Sequence, residues 1–486
     1  MQLLHKVLDP CGDVAFRPLF APEPVGRRVV LVYAKHITDK KLLQHQVLET
    51  LMVRVLRSSP NASAQDLVEK GLPVLNVQTV QEIAAVTDGV LSGRAALIAE
   101  GSDSALLIMA KQPAARQVAE PSTESSVRGP REAFVEELEM NLNLIRKRLP
   151  TERLRMENAK LGQVTRTRVV ILWLDGLADN GIVTEVRKRV KAIKIDAVID
   201  SGYIEEFIED SPFSPFPQIE HTERSDKLAS ALLEGRIGIL VDGSPYALMA
   251  PALFANFLQA SEDYYERYLF STAVRVIRFG ALLISLLAPS FYVAITSIHQ
   301  EMIPIGLALR LAGTREGAPF PVFAEAFLME IAFEILREAG IRLPAPVGQA
   351  VSIVGGLVVG EAAVQAGVAN PITVVIVALT GISSFALPAY NVAFTLRFLR
   401  FPLLVISAAM GLPGLAVAAM VLVTHLASLR SFGVPYLSPM APVRFGDWKD
   451  VLVRVPWWAM QARPTVSPGR SRRMARHQKP RPPRGG

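Results

Sequence analysis

The 486-residue sequence has a single cysteine, Cys11. No intramolecular disulfide and no cysteine-based metal cluster can form, which fits a reducing compartment. Histidines are few and dispersed, and no Walker loop, HExxH, GxSxG or CxxC occurs. No nucleophile–base pair stands out, so an enzyme is not expected, and neither a cofactor nor a metal is called for. The start, MQLLHKVLDPCGDV, meets His5 and Lys6 before any apolar run. That pattern lacks a signal-peptide core and leads us to expect a cytoplasmic N-terminal half. Charge is nearly missing from one long stretch: between Pro344 and Leu396 the lone charged residue is Glu361.

What is present is divided unevenly. Half the residues are apolar and mean hydropathy is +0.30, yet the first half of the chain carries acids and bases throughout. The net charge of +7 arises in the tail, where Arg463–Gly486 holds eight Lys/Arg and no acid. The remainder is close to neutral, which argues against nucleic acid as a partner. The Pro-rich basic tail reads as disordered and suited to anionic cytoplasmic lipid.

The polar half contains a repeat. RRVVLVYAKHITDKKLL (Arg27–Leu43) resembles TRVVILWLDGLADNGIV (Thr167–Val183), and LSGRAALIAEGSDSALLI (Leu91–Ile108) resembles LEGRIGILVDGSPYALMA (Leu233–Ala250). Each copy reads as a β-branched strand, an amphipathic helix and a closing hairpin turning at Glu100-Gly101-Ser102-Asp103 or Asp242-Gly243-Ser244-Pro245. The glycines suit turn geometry, not phosphate binding, because no helix follows either loop. Gln112–Arg128 reads as a linker, and PREAFVEELEMNLNLIRKRL as a helix starting at Pro130, with acids at its head and bases at its foot.

A bilayer span needs about 20 apolar residues. Phe279–Ile298, Val347–Gly367, Ile372–Val392 and Pro402–Leu426 qualify, with Arg275 and Arg278 preceding the first as inside anchors. In PFPVFAEAFLMEIAFEILREAGIRLP, Leu328, Ile331, Ala332 and Ile335 share one helix face, and Glu330, Glu334, Arg337 and Glu338 share the other. This segment either lies in the interface or crosses; with four spans Arg397 and Arg400 fall outside, and letting it cross brings them inside. If it crosses, the last run has to turn back at Gly411-Leu412-Pro413-Gly414 to keep the tail inside.

The fold class expected is therefore α+β with a membrane part: duplicated cytoplasmic α/β subdomains followed by an α-helical multi-span domain. Boundaries fall at 1–111 (first subdomain), 112–150 (linker and connecting helix), 151–268 (second subdomain), 269–435 (transmembrane domain) and 436–486 (tail). A carboxylate at Glu361 costs about 2.5–3.5 kcal/mol on insertion scales unless it faces protein or water. Glu361, Gln365, Gln349, Glu330 and Glu334 are thus candidates for a polar pathway, with packing or solvation as the alternative role. Gly356 and Gly360 form a small-xxx-small helix contact.

Several strings are recognisable together: ESSVRGPREAFVEELEMNLNLIRKRL, SEDYYER, PSFYVAI, HQEMIP, EAFLMEIAFEILREAGIRLP, VGQAVSIVGGLVVGEAAVQAG and LRSFGVPYLSPMAP. From about Arg27 to Pro442 the chain resembles the A subunit of the GerA family of spore germination proteins. The resemblance implies a nutrient germinant receptor in the inner spore membrane. Its implied partners are a transporter-like B subunit, a lipoprotein C subunit and further copies of the chain, assembled as a homo-oligomeric ion channel. It covers equally an A-like accessory subunit of the dipicolinic acid release channel. A secondary transporter or a non-conducting scaffold are the alternatives of other classes.

Overall fold

The computed structural model describes residues 2–20, 28–49, 77–99, 102–111, 120–315 (without 122 and 125), 319–463 and 473. Residues 112–119 of the expected linker, and Glu100 and Gly101 of the first hairpin turn, lie outside the described residues.

Two five-stranded sheets share one strand order. The first contains β1 (Val14–Phe20), β2 (Arg28–Ala34), β3 (Val77–Val80), β4 (Arg94–Ala99) and β5 (Ala105–Met109), ordered β1-β2-β4-β5-β3. The second contains β6 (Leu154–Leu161), β7 (Thr167–Leu174), β8 (Glu220–Thr222), β9 (Ile237–Val241) and β10 (Ala247–Ala250), ordered β6-β7-β9-β10-β8. All neighbours pair antiparallel. The β9–β10 hairpin turns through Gly243 at φ +87°, a left-handed position open to glycine.

Central β7 is apolar on both faces because helices cover both. On one side α1 (Leu138–Arg148) and α2 (Ser225–Leu233) bring Leu142, Ile145, Leu228 and Leu232 onto Val170 and Leu172. On the other, α3 (Asn180–Ala192) and α4 (Ser201–Ile208) bring Val186, Val190, Ile204 and Ile208 onto Val169 and Ile171. Each such side chain contributes about 1.5–3 kcal/mol on burial.

The connecting helix starts at Leu138, not at Pro130. Upstream, the chain is held extended: Ala133 bridges to Arg224, and Phe134 N donates to Glu223 O at 2.7 Å. The Asn141 side chain then occupies both Val135 N (2.8 Å) and Val135 O (2.6 Å). These backbone groups are committed before a helix can claim them.

The helical half begins with α5 (Tyr268–Ser297), followed by α6 (Ile305–Arg315), α7 (Val322–Arg342), α8 (Ala345–Gln365), α9 (Pro371–Phe385) and α10 (Tyr390–Ser428). Among the described residues α5 and α10 are long and apolar enough to cross a membrane, whereas α9 is apolar but shorter. The expected run Ile372–Val392 is broken after Phe385, where Pro388 cannot continue a helix. The run Pro402–Leu426 is broken too, at Gly411 (φ 63°, ψ −150°).

That break reverses the chain. Thr395 Oγ1 donates to Pro215 O at 2.5 Å, while Ser214 Oγ and His425 Nε2 are 2.9 Å apart. A straight helix would separate positions 395 and 425 by about 45 Å. Residues 390–410 and 412–428 are therefore two arms of a hairpin whose feet stand on one loop of the soluble half. Its bend packs on Ile298 and His299, just beyond the far end of α5.

Arg275 and Arg278, expected as inside anchors of the first span, are tied into the protein itself. Both are buried, Arg275 Nε 3.0 Å and Arg278 Nη1 2.7 Å from Asp263 Oδ2, with Asp450 Oδ1 3.1 Å from Arg275 Nη1. Buried charge needs a partner, and Asp263 and Asp450 supply it.

Candidate functional site

Helix α7 places Glu325, Glu330 and Glu334 along the bundle interior, and the first arm of α10 places Arg397 and Arg400 opposite. Glu330 and Glu334 are four positions apart and the arginines three, so each pair projects from one helix face. Glu330, fully buried, pairs through Oε2 with Arg400 Nη1, and Arg400 Nε donates to Ser285 O of α5 at 2.9 Å. One turn on, Glu334 Oε2 lies 3.8 Å from Arg397 Nη1 and 3.7 Å from Arg337 Nη1. At the other end, buried Glu325 accepts from Asn370 N and Thr373 Oγ1, both at 3.1 Å.

The result is a charge ladder through apolar surroundings. Attraction between buried ions is strong, but so is their desolvation penalty, and a single deletion leaves an uncompensated charge. Each of the three acids keeps a second buried oxygen without a donor among the described residues, and so does Arg397 Nη2 without an acceptor.

The sequence candidates separate into two groups. Glu330 and Glu334 belong to the ladder; they are not a solvated face. Glu361 and Gln365 lie on the outer face of α8, where Gln365 Nε2 donates to Glu361 Oε1 at 3.0 Å. The side chain of Gln349 lies outside the described residues. Gly356 meets nothing within 4 Å, and a Cβ at Gly360 would sit 3.6 Å from Val374 Cγ1. The tight contacts between α7 and α8 fall elsewhere: a Cβ at Gly355 would be 2.7 Å from Leu336 Cδ2, and one at Gly348 would be 2.5 Å from Gly340 O.

As partners within the ladder, Arg397, Arg400, Glu325 and Ser285 escaped the sequence reading. The available signal was the spacing in TLRFLRF, two arginines one turn apart inside an apolar run, which loop-charge counting assigned to a helix end.

A second polar concentration joins the soluble half to the bundle. A cavity of about 310 Å³ is lined by Glu234, Asn256, Gln259, Asp447, Asp450 and Arg473. Burial pushes the Asp450 carboxyl above its ordinary range, opposed by Arg275 and Arg473. Arg473 pairs with Glu234.

The family of the Bacillus/Clostridium GerA spore germination protein matches residues 2–466 of this chain. Spore germination protein KA of Bacillus subtilis (strain 168) is 43% identical over 479 residues, covering 98% of this chain and 88% of its own length. The membrane protein YfkQ of the same organism, uncharacterized, is 41% identical, with 99% and 93% covered. Spore germination protein GerLA of Bacillus cereus is 38% identical, with 90% and 89% covered. Among solved structures, the N-terminal domain of the A subunit of the Bacillus megaterium spore germinant receptor GerK3 is 32% identical. It covers 52% of this chain and 93% of that domain, with a TM-score of 0.40.

Proposed function

The chain belongs to the GerA family of spore germination proteins, and on that premise we propose that it is the A-type membrane subunit of a germinant receptor. In this reading copies of the chain assemble side by side into an ion-conducting ring in the inner spore membrane, with B-type and C-type subunits as partners. Its role is conduction, not catalysis.

The observation that carries the reading is the outward placement of Glu361 and Gln365. A carboxylate on the open face of an otherwise apolar helix is costly against lipid, so it calls for a polar path or another subunit. Gly356 on the same helix leaves room for a neighbour to approach closely. Alternating helix directions support six crossings: α5 outward, α7 back, α8 outward, α9 back, and the two arms of α10 outward and back. The soluble half and the chain beyond Ser428 then share the cytoplasmic side.

The test is ion release from spores, or conductance in reconstituted bilayers, normalised to membrane protein. Glu361→Gln removes charge but retains size, and is expected to alter release or cation preference with protein level unchanged. Wild-type conduction in that variant, alongside depletion alone in Glu361→Leu, would make the residue structural and remove the support for this path.

A further inference from the structure

The loop joining α4 to β8 reads EDSPFSPFPQI, residues 209–219, and its two phenylalanines have opposite fates. Phe216 is 3% exposed, packed under the bundle with Val392, Leu396, Leu429 and Tyr436. Phe213 is 100% exposed. The loop that carries it is braced on every side. Ser211 N donates to Gln218 Oε1 at 2.8 Å, Gln218 Nε2 donates back to Ser211 O at 2.7 Å, and Ser214 N donates to Ser211 O at 3.0 Å. Tyr436 Oη holds Pro217 O at 2.7 Å. Pro212, Pro215 and Pro217 restrict the remaining backbone freedom. A benzyl group at the tip of such a loop is presented in a fixed place, so little ordering entropy remains to be lost when something covers it.

What covers it is indicated by its neighbours. Ser214, the next residue, bonds His425 at the foot of the second hairpin arm, one face of which exposes Val417, Met420 and Val421. Apolar surface thus runs down that arm and ends at the loop bearing Phe213. The carboxylate nearest the tip is already engaged. Asp210 pairs with Arg189 and accepts from Gly433 N at 3.2 Å. Burial raises Glu209, and raises Glu205 to about 8. At the loop tip Phe213 has small or proline neighbours in sequence and no packed apolar core around it, unlike the centre of a protein–protein interface. That setting suits an apolar side chain dipped into the headgroup–acyl boundary, as phenylalanines of membrane-surface segments are.

We propose that Phe213 is a membrane-interface anchor, seated in the headgroup–acyl boundary of the leaflet facing the soluble half. This rests on the membrane reading of α10, and it adds a lipid contact made by the soluble half itself. The anchor fixes the height of the loop on which both feet of the hairpin stand.

Spin-label depth measurement on the full-length chain in phosphatidylethanolamine/phosphatidylglycerol nanodiscs tests it. The background is Cys11→Ser, which removes the sole native thiol. Three single-cysteine variants are compared: Phe213→Cys, Val421→Cys on the second arm, and Val164→Cys on an exposed turn as the water reference. The expected result at 213 is relaxation by oxygen exceeding that by a water-soluble nickel chelate at least twofold, with the reverse at 164. If 213 follows 164 while 421 favours oxygen, the anchor is overturned and the membrane reading stands. Shielding of 213 from both reagents means a protein partner covers it, which also overturns the anchor. A nickel-favouring 421 overturns the membrane reading itself.

Discussion

Asp13 and Arg146 stand 133 residues apart in the chain and form a bidentate ion pair, both oxygens 2.7 Å from the guanidinium and both side chains fully buried. Asp13 introduces the first sheet and Arg146 belongs to α1, which packs on the second. The pair therefore joins the two repeats. Arg146 also donates to Thr151 O at 2.8 Å, tying the start of the second repeat into the same knot.

Removing one partner should cost far more than removing both. Arg146→Met leaves a buried carboxylate and is expected to destabilise the soluble half by about 3–5 kcal/mol, whereas Asp13→Leu with Arg146→Met should recover most of that loss. Urea unfolding followed by limited proteolysis of the full-length chain checks this. Additive losses in the double variant would show that the pair is not coupled.

Glu205 predicts an unusual pH response. Burial, reinforced by Glu209, Asp200 and Glu206, pushes its carboxyl up to about 8. Because the folded value lies above the unfolded one, this group's contribution is fully present below the unfolded pKa and is lost as pH rises towards 8. Glu205→Gln should flatten that decline, raising thermal stability at pH 8 with little effect at pH 4. Hydrogen exchange across α4 at both pH values is the measurement; parallel pH slopes in variant and wild type would contradict it.

Glu139 gives the opposite slope. Its hydrogen bond with His36, aided by Arg168, lowers its carboxyl to about 2. Its contribution is present above the unfolded pKa and lost as pH falls through the folded one. His36 lies in the first repeat and Arg168 on β7, so acid should loosen the contact between repeats before it melts either sheet. Protease cleavage at the junction between pH 5 and pH 2 is expected to rise in wild type and to be already high in Glu139→Gln at pH 5.

Within the bundle, Glu330→Leu strands Arg400 and should lower the amount of protein in the membrane by tenfold or more. Glu330→Leu with Arg400→Leu should restore much of the amount. Quantitative immunoblotting of membranes reads both, and ion release then reports whether the ladder does more than hold helices together. Equal depletion in single and double variants would rule out pairing as the cause.

Two adjacent glycines distinguish folding from assembly. Gly355→Leu drives a side chain into Leu336 and should deplete the protein, while Gly356→Leu meets open space and should leave its amount intact. Crosslinked oligomer size is expected to change in Gly356→Leu alone. An unaltered ladder of crosslinked species there would argue against a copy-to-copy contact at this position.

The duplication was legible because paired strings such as RRVVLVYA and TRVVILWL fix the central strands, whose apolar content is dictated by helices on both faces. The edge strands β1 and β6 were not legible. In β6 buried and open positions interleave with charges at Arg155, Glu157 and Lys160, as an edge strand permits. The helix start at Leu138 was hidden because tertiary hydrogen bonds, not local propensity, keep residues 133–135 extended. In the bundle, hydrophobic length located the helices, but charge counting gave Arg275, Arg278, Arg397 and Arg400 to the water side. All four are buried against acids outside their own helices, Asp263 for Arg275 and Arg278, Glu334 for Arg397 and Glu330 for Arg400, and no helical spacing encodes such partners.

The loop that grips Thr395 through Pro215 and His425 through Ser214 has a mechanical consequence. Two rods clamped at one end to a common block cannot slide past each other there; they can only tilt together. A displacement originating in the second sheet would thus reach the hairpin as a rocking of both arms about the loop. It would be largest at the opposite end, where Gly411 bears on His299.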